Sequence, residues 1–95
     1  MNVDKLKALL EQYQKDIADE YARKGGEDIG GEHKSDSLSL NHLYWMAKEV
    51  RAQLEAREPN WGKVNRWIGW VQAGMYVNGL REVDDMRAEI TESLS

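Results

Sequence analysis

The sequence predicts an all-α fold: a three- to four-helix antiparallel bundle with one long glycine-rich loop, assembled as a homo-oligomer. Three observations carry that expectation. Apolar residues recur at steps of three and four over most of the chain, and glycine or proline falls between the periodic runs. A single segment, 61–79, is apolar on nearly every side of a helix, more than a monomer of this size can wrap.

The first helix, about 3–23, places Val3, Leu6, Leu10, Tyr13, Ile17 and Tyr21 on one face. Asn2 can cap its start, and Lys7, Glu11, Lys15, Asp19 and Arg23 form an alternating charge ladder on the other face. The pair Gly25-Gly26 stops it. The loop 25–37, GGEDIGGEHKSDS, has four glycines and one aliphatic residue, Ile29, which is too little apolar surface for a helix or a buried strand.

A second helix, about 39–58, starts after Ser37 or Ser39 and buries Leu40, Leu43, Ala47, Val50 and Leu54, with Tyr44, Trp45 and Met46 widening the stripe. Pro59 is expected to end it, because the residue before a proline leaves the α region. Asn60 can cap the third helix, about 61–78, whose Gly69, Ala73 and Gly74 are places where another helix could come close. Gly79 closes it. A short fourth helix, about 82–92, follows from Leu80, Val83, Met86, Ile90 and Leu94, with Asp84 and Asp85 at the positive end of its dipole.

Composition narrows the function classes. The 95 residues make one domain, 1–95. A chain of that size buries only about 60–65% of its unfolded surface, which argues against a self-contained enzyme. Four Trp, four Tyr and four Met with no Phe predict a core built around tryptophan. The absence of cysteine excludes disulfides, thiolate metal sites and Cys nucleophiles, and suits a reducing, cytoplasmic setting. Neither an N-terminal apolar targeting run nor a membrane-length apolar stretch is present in the sequence.

The net charge of −4 argues against general affinity for DNA, and its distribution is uneven. The loop 25–37 and the tail 80–95 are each −3, whereas 59–79 holds Lys63 and Arg66 and no acid. Catalytic motifs are lacking. Gly25 and Gly30 have P-loop spacing, but Gly31 and Glu32 stand where Lys and Ser/Thr belong. The loop acids do not follow the calcium-loop pattern. His33 and His42 lack the partners zinc requires, and His42 reads as a surface or capping residue. No catalytic residue, metal or cofactor is assigned.

The remaining candidate site is the third helix. Arg66, Lys63 and Trp67, beside Asn65, Trp70 and Gln72, combine cations with indoles, as single-strand and nucleotide binders do. Tyr13, Tyr21 and the loop residue Lys34 are outer candidates for the same ligand. Two plainer roles stay open: the tryptophans as core, with Arg66 paired to Asp84, Asp85 or Glu89, or the same residues as a protein interface.

The run HLYWM (42–46), then KVNRWIGWVQAG (63–74) and GLREVDDMR (79–87), resembles a group of small bacteriophage and prophage proteins. In that group a His-Leu-x-Trp-Met helix precedes a Lys-x-x-Arg-Trp-x-Gly-x-x-Gln helix. The resemblance covers 40–90 and carries over no catalytic or binding residue. It implies, by association, an accessory protein acting against host defences in the host-cell cytoplasm. One form of that role is a homo-oligomer that sequesters a cyclic-nucleotide signal; another is an inhibitor that covers a host defence protein.

Overall fold

A computed structural model describes residues 2–26 and 38–93. Within them the chain forms α1 (Val3–Arg23), α2 (Leu40–Leu54), α3 (Trp61–Val77) and α4 (Val83–Ser93). The glycine-rich loop beyond Gly26, with Ile29, His33 and Lys34, and the tail residue Leu94 lie outside the described residues. No helix among the described residues is long and apolar enough to cross a membrane.

Local chemistry sets the ends. Asn2, Ser39 and Asn60 cap the first three helices by accepting the backbone N–H of Lys5 (3.0 Å), His42 (3.2 Å) and Lys63 (3.1 Å). α1 and α3 both end in the same left-handed turn. At α1 the Gly25 and Gly26 amides donate to Ala22 and Tyr21 (3.0 and 2.9 Å); at α3 the Gly79 and Leu80 amides donate to Tyr76 and Met75 (3.0 and 2.8 Å). The turn needs positive φ at its pivot, +87° at Gly25 and +74° at Gly79.

α2 stops at Leu54, four residues short of the boundary expected at 58 from Pro59. Leu54 is its last buried side chain, and Glu55 to Glu58 are all exposed, so further helix would bury nothing. The amides of Glu55 and Ala56 instead donate three residues back, to Ala52 and Gln53 (3.2 and 3.1 Å). The Gln53 side chain then accepts the Asn60 amide (3.1 Å), tying the end of α2 to the start of α3.

Neighbouring helices run antiparallel, as contacts along each pair show. Tyr21 meets Asn41, Gln14 meets Arg51 and Lys7 meets Glu55 between α1 and α2. Between α2 and α3, Leu38 meets Asn78 and Trp45 meets Trp67. Asn2 meets Ser93 and Asp16 meets Arg81 across α1 and the α4 end of the chain.

The core is aliphatic rather than tryptophan-rich. It comprises Leu6, Leu10, Tyr13 and Ile17 of α1, the expected α2 stripe with Met46, and Val64, Ile68, Val71 and Met75 of α3. Trp45 and Trp67 only pack against it, and Trp61 and Trp70 are 38% and 42% exposed. Helices packed about 8–10 Å apart interleave Leu, Val and Met, whereas an indole is larger and needs an acceptor for its N–H. The charge ladder on α1 forms no ion pair among its own members within the described residues. Lys7 pairs with Glu55 instead (3.5 Å), and Arg23 and Lys24 share Glu20.

At Gly74, α3 lies so near α2 that a Cβ would collide with the Leu43 side chain, itself fully buried. Gly74→Ala is therefore expected to destabilise the fold by about 1–3 kcal/mol, despite alanine's better helix propensity. Urea unfolding of the variant measures this, and unchanged or raised stability would mean the contact is slack.

Candidate ligand-binding surface on helix α3

With Val64, Ile68, Val71, Gly74 and Met75 turned into the core, the opposite side of α3 faces outward. It presents Arg66, Gly69, Trp70, Ala73, Tyr76 and Val77, while Trp61, seven residues before Ile68 and so on its side of the helix, is partly exposed at the helix start. Lys63 lies at the flank nearer α2, with its ammonium 4.4 Å from the centre of the Trp67 ring. Trp67 packs at 5.6 Å against Trp45, and Trp45 at 5.4 Å against His42. A row of rings thus supports Lys63 from beneath. His42, expected at the surface, is buried at 8% exposure beside Trp45, because the helix start turns it inward next to Leu43.

Arg66 is exposed, one turn from Gly62. Neither it nor Lys63 has an ion-pair partner among the described residues. The alternative of Arg66 paired to a tail acid is not what the chain forms: Glu89 is taken by Arg81 (3.5 Å), which also pairs with Asp16. Arg81 directly follows the Gly79 turn, so its guanidinium reaches both α1 and α4 without crossing the bundle.

Two of the three expected outer contacts, Tyr13 and Tyr21, do not lie at this surface. Tyr13 is a core residue with no exposure. Its hydroxyl accepts from Gln72 of α3 (3.2 Å) and donates to Glu89 of α4 (3.3 Å). Tyr21 is half-buried at the far end of the bundle, where its hydroxyl accepts from Asn41 (3.3 Å). Lys34 lies outside the described residues. Of the six candidates, Arg66, Lys63 and Trp67 share one surface.

The cluster of Asp16, Arg81, Glu89, Tyr13 and Gln72 joins three helices. Its members are 59 to 76 residues apart where they meet Tyr13, and no local pattern in the sequence marks such pairs. Burial, only partly countered by the Gln72 hydrogen bond and reinforced by Glu89, pushes the Tyr13 hydroxyl up to about 12. Burial works against the Arg81 charge, but Asp16 and Glu89 outweigh it and raise its pKa. The Tyr13 phenol is thus held protonated, and the cluster acts as a clamp between helices.

Two hollows lie beside these groups. One of about 180 Å³, lined by Leu6, Ile68 and Ile90 with Asn65, Gly69 and Gln72 at α3, is mainly apolar. The other, about 540 Å³ and shallow, is rimmed by Glu82, Asp85 and Glu89, and its cation Arg81 is already paired. Among the described residues no group of His, Cys, Asp and Glu could hold a metal ion. Compared with known proteins, the chain matches no family model, no curated protein and no solved structure.

The clamp has a pH signature. The folded Tyr13 value lies above its ordinary value of 10.0, so stability linked to it is intact at neutral pH and is lost as pH rises through about 12. Tyr13→Phe is expected to lower stability by about 1–2 kcal/mol at neutral pH and to flatten the loss between pH 10 and about 12. Unfolding curves across that range, with tyrosinate absorbance as a direct titration, check both effects.

Proposed function

We propose that the chain is a non-enzymatic accessory binding protein of the phage anti-defence kind, which sequesters a nucleotide signal, cyclic or linear, at the α3 surface. On this reading it acts in the host-cell cytoplasm. The observation that carries it is the charge pattern: in a chain of net charge −4, α3 holds only Lys63 and Arg66, both without ion-pair partners among the described residues, with Lys63 over the Trp67 indole. Phosphate suits these cations, Arg66 with a planar fork and Lys63 as a point charge, while Trp67 or Trp70 can stack a base. The resemblance of 42–46 and 63–87 to phage proteins supplies the biological setting.

A second reading has its own support. Among the described residues, four of the five large hydrophobic side chains that stand exposed, Trp61, Trp70, Tyr76 and Val77, are on α3, an enrichment typical of protein interfaces. The same surface could then cover a host defence protein or serve a structural accessory role.

Thermal shift against a panel of cyclic and linear nucleotides tests the first reading, because a ligand that prefers the folded state raises Tm. At least one nucleotide is expected to do so, and Arg66→Ala is expected to weaken its binding by about 10–100-fold, the loss of a charge-assisted contact. Indifference to the whole panel overturns the nucleotide reading.

A further inference from the structure

The outward face of α3 carries Gly62, Arg66, Gly69, Ala73 and Tyr76 at steps of four and three, all exposed, the spacing by which one helix meets another along its length. Gly69 is the informative member. A glycine in the middle of a helix is destabilising relative to alanine, and at Gly74 the contact with Leu43 explains why glycine stands there. At Gly69 nothing lies within 4 Å of where a Cβ would be. Among the described residues no packing requires a glycine there, and the bare α3 backbone is open to something that approaches it from outside.

We propose that this something is a second copy of the chain, packed α3 against α3 in antiparallel fashion about a two-fold axis at Gly69. That register sets the half-exposed Tyr76 of each copy over Gly62 of the other, Ala73 over Asn65, Arg66 over Gln72 and Gly69 over Gly69, so that the large ring on the seam meets a glycine. A parallel pairing would set Arg66 on Arg66 and Tyr76 on Tyr76. The antiparallel one separates the two Arg66 side chains and brings each beside Trp70 of the opposite copy, a cation facing an indole. Opposed helix dipoles favour the same sense.

The area is adequate for a dimer of modest strength. Trp70 and Tyr76, each about half exposed, supply roughly 200–250 Å², and Val77, Ala73 and the Arg66 stem about as much again. The sum lies below the ~800 Å² per partner of a standard interface, in the class of weak, concentration-dependent association. The pairing would also place Lys63 and Arg66 of both copies along one edge, doubling the cations available to an anionic ligand. That last step rests on the nucleotide reading; the pairing itself does not.

Light-scattering mass over a hundredfold range of concentration, on the whole chain, tests the pairing. The chain is expected to pass from monomer to dimer, and Gly69→Leu to remain monomeric with its helicity and Tm retained or raised, since the side chain enters open space. A chain that stays monomeric, or a dimer indifferent to Gly69→Leu, overturns the proposal. Because the chain has no cysteine, register can be read by oxidation. Gly62→Cys combined with Tyr76→Cys is expected to give a disulfide-linked dimer, and each change alone is not; efficient linkage of either single variant overturns the antiparallel register. Lys63→Ala, outside the seam, separates the two proposals: it is expected to keep the dimer while weakening nucleotide binding, and a dimer that no nucleotide stabilises leaves the pairing standing and removes the nucleotide reading.

Discussion

The contact between Leu43 and Gly74 governs how the rest of the molecule is arranged. It lets α2 and α3 approach until a core side chain of one occupies the space where any side chain of the other would begin. That closeness fixes the rotation of α3 about its axis. Val64, Ile68, Val71 and Met75 point inward, and Arg66, Gly69, Trp70 and Tyr76 are thereby turned out. The surface for which a function is proposed is the geometric consequence of how the buried side packs.

The fourth helix is held by different chemistry. It contributes Met86 and part of Ile90 to the apolar interior, little for a stretch of 11 residues, and Val83 stands about half exposed. What binds it to the bundle is largely polar: Arg81 between Asp16 and Glu89, and Tyr13 between Glu89 and Gln72. Such a network restricts α4 to one position more sharply than apolar contact alone, because each member loses its partner if the helix slides. It also spends one of the few tyrosines on structure, which removes Tyr13 from any ligand-binding role.

The surface of α3 combines features that seldom coincide by packing alone: cations with no ion-pair partner among the described residues, indoles at the edge, an open glycine and several exposed apolar groups. In a small domain a tryptophan too large for the interhelical space ends up at the rim, and this accounts for Trp45 and Trp67. It does not account for Trp61 and Trp70, which stand well clear of the core. Association through the seam and anion binding along the Lys63 flank adjoin each other on the same helix and meet at Arg66 and Trp70, which border both.

Much of the local structure was legible in the sequence. Helix starts followed from Asn2, Ser39 and Asn60, and two helix ends from Gly25 and Gly79, because capping and left-handed turns depend on residues within a few positions of one another. The buried stripes of α1 and α2 followed from periodicity for the same reason. Only the tertiary structure decided the early end of α2, the burial of His42, the partners of the Tyr13 hydroxyl, the pairing of Glu89 with Arg81 rather than Arg66, and the exclusion of the indoles from the core. Each depends on the distance and angle between helices far apart in the chain. An amphipathic pattern states that a face is buried, but which neighbour covers it, and whether an indole fits beneath, is set by how closely two helices can approach.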